Sequence, residues 1–155
     1  MRILTSSALL VLFAMTASAQ KSDAAASGSN FKWGPAPAVF PAGAQMAVLE
    51  GDPGSNGLFT VRLRMPDGYK IAPHTHPTDE NVTVISGTFR VGMGEKFEKK
   101  GMLTLHSGAF VTAPQKMAHY AVASGETIVQ VHAIGPFALT YVNPADMPKA
   151  AAARR

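Results

Sequence analysis

The sequence predicts an all-β sandwich or barrel, on three observations. Short apolar runs alternate with Gly-, Pro-, Asn- and Asp-rich turn signals at intervals of about eight to twelve residues. One run alternates strictly, with Phe59, Val61, Leu63 and Met65 on one side and Thr60, Arg62 and Arg64 on the other. No long stretch has a helical period, and Pro114, Pro136, Pro144 and Pro148 oppose helices where they fall.

The elements follow in order. Met1-Arg2 is a basic start, Ile3 to Met15 is largely apolar, and Ala17-Ser18-Ala19 is a small-x-small site before Gln20. This is the three-part pattern of a secretory signal peptide, so residues 1–19 are expected to be removed between Ala19 and Gln20. The apolar run is too short to span a bilayer, which takes ~20 residues. With no cysteine after the cleavage site a lipid anchor is excluded. The mature protein is expected in the periplasm or outside the cell, without a membrane anchor. Residues 20–43 form a small, polar lead and then an extended arm, Phe31 to Pro41, whose Trp33 and Phe40 should pack on the barrel.

The barrel proper is expected over 44–143. Strands are read at Gln45–Glu50, Leu58–Met65, Asn81–Ile85, Thr88–Met93, Leu103–Leu105, Ala109–Thr112, His119–Ala123, Thr127–Ile134 and Phe137–Val142. Ser86-Gly87 and Ser124-Gly125-Glu126 read as turns between strands. Residues 144–155 are a tail with at most a frayed turn. The chain has no internal repeat and fits one domain.

Composition narrows the chemistry. The chain has no cysteine, so it has neither disulfides nor thiolate ligands or nucleophiles. Its formal charge of +4 is modest, and Lys96, Lys99 and Lys100 are mixed with Glu95 and Glu98 in one loop. A nucleic-acid surface needs a basic stripe, usually interleaved with aromatics, and none is present. Nucleic acid is therefore not an expected partner.

The most informative cluster is His74-Thr75-His76, with Glu80 four residues on. Two His separated by one residue point to the same face of a strand. Glu80 keeps that parity if the strand runs on unbroken. Neutral imidazoles and a carboxylate aimed into one cavity make a site for a divalent first-row transition metal. His106 stands before a turn and is read as exposed. Asp79 has the opposite parity to Glu80 and should point away.

In full, the first cluster is Gly68, five residues, His74-Thr75-His76, three residues, Glu80, six residues, Gly87. The second is Gly108, five residues, Pro114-Gln115-Lys116, two residues, His119. These strings resemble the two motifs of the cupin superfamily. Every fixed position of the first is matched. In the second, Lys116 replaces the usual Gly and Ala123 the usual Asn. The resemblance covers about Gly68 to Ala123 and implies a small double-sheet jelly roll, the double-stranded β-helix barrel. It also implies that His74, His76, Glu80 and His119 hold one divalent metal, with Fe, Mn, Ni, Cu, Co and Zn all admissible.

Further readings concern the surroundings. Gln130 and His132 share one face of a strand with Ile128 and Ile134, which leads us to expect them in the cavity. There, His132 and Glu80 would handle protons, with Gln130 as a cavity partner. Tyr69 and Lys70 are expected to rim the entrance, and Tyr120 to point away from the ligands. Phe89, Phe110, Met117, Phe137 and Tyr141 are expected in the core. The resemblance to cupins implies metal-dependent chemistry on a small organic substrate, with a dioxygenase-type oxidoreductase favoured over an isomerase, lyase or decarboxylase. The alternative is a non-catalytic module that binds a metal and a small ligand. Jelly-roll edges and the aromatic arm also predict a homodimer.

Overall fold

The computed structural model describes residues 30–149. The predicted signal segment and its cleavage point lie outside them, as do most of the polar lead and the last tail residues. Nine strands follow: β1 (Gly34–Pro35), β2 (Gln45–Glu50), β3 (Gly57–Met65), β4 (Lys70–Thr75), β5 (Glu80–Met93), β6 (Leu103–His106), β7 (Phe110–Ala113), β8 (His119–Gly135) and β9 (Thr140–Tyr141). A single 3-10 turn, Pro144–Asp146, comes after them. All the strand pairings are antiparallel, and the architecture is the expected double-stranded β-helix.

Two long strands carry both halves of the barrel. β5 and β8 lie side by side from Asn81↔His132 to Met93↔His119. The second half of β8 pairs with β3, from Gly57↔Gly135 to Met65↔Thr127. Its first half pairs with β4, ending at His74↔His119. β7 and β6 continue the two halves on the far side of β5.

The expected turns at Ser86-Gly87 and Ser124-Gly125-Glu126 are therefore corners inside continuous strands, where the chain passes from one half of the barrel to the other. The register of β5 on β8 slips between Val84 and Thr88. Gly87 sits there at φ 80°. A Cβ at Gly87 would collide with the Glu126 carbonyl and with Thr127. Thr127 is fully buried, and its hydroxyl accepts from the Thr88 amide at 3.2 Å. A bulge bends and twists a strand locally, and a signal of Gly plus small polar residues cannot by itself tell a bulge from a hairpin.

The slip also switches which residues face inward. Before it these are Glu80, Val82 and Val84, and after it Phe89 and Val91. β3 shows the predicted alternation, with Phe59, Val61, Leu63 and Met65 all buried. Phe89, Phe137 and Tyr141 join this core as expected. Phe110 and Met117 do not, being 55% and 45% exposed. Both lie on the even or turn positions that their neighbours' alternation turns outward. The last strand is shorter than predicted, because Phe137 to Leu139 folds over the barrel end instead of pairing.

The arm is held at two levels. Outside, the Arg62 guanidinium lies 4.4 Å over the Phe31 ring and that of Arg64 lies 4.2 Å over Trp33. Inside, two buried tyrosines fasten the arm backbone. The Tyr69 hydroxyl donates to the Pro41 carbonyl at 2.6 Å, and the Tyr141 hydroxyl to Val39 at 2.9 Å. Tyr69 is therefore a buried anchor, not a rim residue, while Lys70 lies outside with its ammonium 3.6 Å over Phe97.

Candidate metal centre

β4, β5 and β8 bring the motif residues together at one end of the barrel. His74 lies in β4, directly opposite His119, the first residue of β8. His76 follows the end of β4, and Glu80 opens β5. The strand does not run unbroken from His76 to Glu80. The chain bends at Pro77 and Thr78, and Glu80 reaches the site from the next strand. Glu80 does stand beside the histidines, but the condition of an unbroken strand is not met, so strand parity is not what brings it there.

The three imidazoles are buried, at 3–4% exposure, and each offers a ring nitrogen within 4.8 Å of the others. Their other nitrogens settle the tautomer. Nδ1 of His74 faces the Ala72 carbonyl at 2.7 Å, that of His76 the Ala138 carbonyl at 2.7 Å, and that of His119 the Met117 carbonyl at 3.0 Å. A carbonyl only accepts, so each Nδ1 carries the proton and donates it. In the neutral rings this leaves the Nε2 lone pairs pointing into the site. Backbone carbonyls thus orient the rings, as the outer partners of metal-binding His commonly do.

Glu80 lies beside this group, next to two of its rings. Its Oε2 is 3.2 Å from His119 Nε2 and 3.7 Å from His76 Nε2. The longer distance is beyond a hydrogen bond, and His76 Nε2 is buried with no hydrogen-bond partner among the described residues. A buried nitrogen left unsatisfied costs ~1–3 kcal/mol unless something occupies its lone pair.

The electrostatics fit a cation. Burial, with His119 and His76 nearby, lowers His74 to about 3, so its ring is neutral at any ordinary pH. Burial also holds His76 below the usual histidine range, against the opposing pull of Glu80. Burial pushes Glu80 up, but His119 and the other rings outweigh it and hold the carboxyl low. Burial likewise pushes His119 down, but the Glu80 hydrogen bond and charge outweigh it and raise His119. Three nitrogen donors and one carboxylate carry one negative charge, so a divalent ion would leave one net positive charge at the site. Mixed nitrogen and oxygen donors without sulfur suit a first-row transition metal, and their identity does not choose among such metals.

The site opens onto a chamber of about 320 Å³. Phe137 forms part of its wall, stacked on His76 with ring centroids 4.2 Å apart and planes 18° apart. Gln130 and His132 do not line it. On β8 the inward residues are Val129, Val131 and Ala133, which puts the expected pair on the opposite face. Gln130 accepts from Arg62 Nε at 3.1 Å, and the His132 ring lies 6.4 Å from the outward Phe110. The flanking Ile residues misled, because they face outward too, with Ile134 52% exposed. Tyr120 points away as expected, donating to the Glu98 carbonyl, and Asp79 accepts from the Gln115 amide. His106 is exposed.

Sequence reading missed three features. One is the trio of orienting carbonyls, which leaves no side-chain signal. Another is the placement of Phe137 against a ligand ring. The third is the share of the wall supplied by Pro37, Val39 and Phe40 of the arm. Their apolar character in the Pro-rich arm, whose Phe40 was expected to pack on the barrel, was the available clue.

Comparison with known proteins gives a consistent result. A family model described as the ChrR cupin-like domain matches residues 21–138. Auxin-binding protein ABP19b of Prunus persica is 32% identical over 92 residues, which are 57% of this chain and 44% of that protein. The chain therefore spans under half the length of that curated relative. Among solved structures, a candidate acetylacetone dioxygenase from Methylibium petroleiphilum superposes with a TM-score of 0.59 at 22% identity, covering 76% of this chain and 79% of that one. A polyketide cyclase from Streptomyces resistomycificus gives 0.56 at 15% identity, covering 68% and 75%. An RmlC-like cupin from Shewanella frigidimarina gives 0.55 at 17%, covering 69% and 86%. At these identities the likeness is one of fold.

Proposed function

The chain belongs to the ChrR cupin-like domain family, and on that premise we propose that it is an exported metal-dependent enzyme for a small organic substrate. His74, His76 and His119 hold the metal through Nε2, and Glu80 through its carboxylate. One observation carries this reading. Three buried rings are turned by backbone carbonyls so that their Nε2 atoms converge, and one of these has no hydrogen-bond partner among the described residues. When bound, the metal supplies Lewis acidity or one-electron redox chemistry. The protein's own groups do the rest. Phe137 covers one face of His76 and keeps water off it. Glu80 is the one carboxylate at the chamber among the described residues, so a proton taken from a substrate goes to its oxygen.

A dioxygenase-type oxidoreductase is the favoured class. The second reading, a binding module without turnover, draws support from the same lining, which offers no acid–base pair apart from the ligands. Elemental analysis of untagged protein from its natural compartment tests the site. About one Fe, Mn, Ni, Cu, Co or Zn per chain is expected, and full metal content in His76→Ala after dialysis would overturn the ligand assignment. Substrate-dependent O₂ uptake by the metal-loaded protein separates the favoured enzyme from the binding module. Export is checked by mass spectrometry, with a mature start at Gln20 expected and an intact Met1 ruling it out. A homodimer is read from the strand edges and is checked by sedimentation.

A further inference from the structure

The chamber next to the metal centre is lopsided in a way that specifies its occupant. Among the described residues that line it, the polar side chains are His74, His76, Glu80 and His119, all gathered at one end. The remainder of the wall is aliphatic, aromatic or proline. It includes Met46, Phe89, Val129 and Val131 from the strands, and Val39 and Phe40 from the arm. Among the described residues, no Arg, Lys, Asn, Gln, Ser, Thr or Tyr side chain lines it.

A sugar, nucleotide or phosphate ester buried here would lose its water without gaining partners, and each unpartnered hydroxyl or charge would weaken binding. An apolar body gains from the same wall. The chamber volume, about 320 Å³, is at the small end of the range for small-molecule sites. The charge argument fixes the other end of the occupant. A divalent ion on these ligands leaves one uncompensated positive charge in a buried place, which a monoanionic oxygen donor cancels.

We propose that the chamber takes a compact apolar molecule with a single monoanionic oxygen-donor head, and that the arm, through Val39 and Phe40, sets the length of body admitted. The head lies at the histidines and the body against the strands and the arm. The arm is not a loose flap. Its backbone is tied to the barrel by the Tyr69 and Tyr141 hydroxyls, at Pro41 and Val39. Phe40 therefore sits between two backbone ties to the barrel. The head's placement rests on the proposed metal centre, whereas the apolar body does not.

The test uses the mature chain loaded with Co²⁺, read by calorimetry and by the visible bands of the metal. The probes are acetohydroxamate, butyrohydroxamate, hexanohydroxamate, decanohydroxamate and the polyhydroxylated gluconohydroxamate. All share one head, which binds a metal ion as a monoanion through oxygen. Affinity is expected to rise about fourfold per added methylene as far as the chamber admits them, and to fall at the longest chain. Gluconohydroxamate should bind no better than acetohydroxamate. Phe40→Ala should move the best chain length upward, with Phe40→Leu moving it less. Equal affinity for hexanohydroxamate, gluconohydroxamate and acetohydroxamate would overturn the apolar chamber while leaving the metal centre standing. An unmoved optimum in both Phe40 variants would overturn the arm's part. If Co²⁺ is not retained, fluorescence of 1-naphthylamine with the metal-free protein decides. Saturable, blue-shifted binding supports the chamber and leaves the metal reading to fall alone, whereas no binding overturns the chamber as well.

Discussion

His119 and His132 stand on the same strand, β8, and have opposite fates. His119 is 3% exposed, paired with Glu80 and turned by the Met117 carbonyl. His132 lies on the outer face beside Phe110, in a shallow groove with Asn81 and Ile134. They are an odd number of steps apart, and the inward alternation runs from His119 through Ala121, Ala123, Thr127, Val129 and Val131 without a slip. A strand side chain's face is set by parity, so it is phase and not residue type that brings a histidine of β8 to the cluster. β5 shows the contrary case, because the corner at Gly87 changes the inward set from even to odd positions.

The sharpest test of this contrast is metal content. His119→Ala is expected to lose nearly all of its metal on dialysis, and His132→Ala to keep all of it, with elemental analysis as the readout. Equal loss in both variants would mean that the two faces are not distinct. Chelator should lower the melting temperature of the parent and of His132→Ala but leave that of His119→Ala unchanged, because only a ligand bound to the folded state stabilises it.

The next largest effect belongs to the corners. Gly87→Ala puts a methyl into the Glu126 carbonyl at positive φ, and should cost about 3 kcal/mol or more in urea unfolding. Gly125→Ala has a similar φ of 71° but open space around it, and should cost only about 1–2 kcal/mol. Equal costs would show that left-handed backbone strain alone, without the close approach, sets the price of both corners.

Smaller effects come from the arm and the second motif. Tyr141→Phe removes the donor to the Val39 carbonyl and is expected to cost about 1 kcal/mol by thermal melting. Lys116 occupies the motif's usual Gly position at φ 61°, where its amide donates to the His76 carbonyl at 2.8 Å. Lys116→Gly should raise stability by about 0.5–1 kcal/mol, since relief of the left-handed cost exceeds the added freedom of the unfolded chain. A loss of stability in Lys116→Gly would show that the lysine side chain makes up for the strain.

Much of the fold was legible because burial writes itself into the sequence at period two. β3 could be assigned residue by residue, whereas β4 (Lys70–Thr75) was not among the strands read and two expected turns lie inside continuous strands. The corners were misread because glycine with small polar neighbours serves bulge and hairpin alike, and only the long partner strand reveals which. His74, His76, Glu80 and His119 were found from spacing and resemblance. Gln130, His132 and Tyr69 were misplaced because a half-polar strand face or a loop tyrosine has no local mark of inside or outside.

The sequence by itself determined the all-β class, the alternation of β3 and the set of four ligand-type residues, since these depend on side-chain chemistry and near spacing. Only the tertiary structure decided which face of β8 lines the chamber, which carbonyls orient the rings, and that the arm supplies a wall. Those properties depend on register, bulges and contacts between distant segments, where one slipped residue reverses inside and outside.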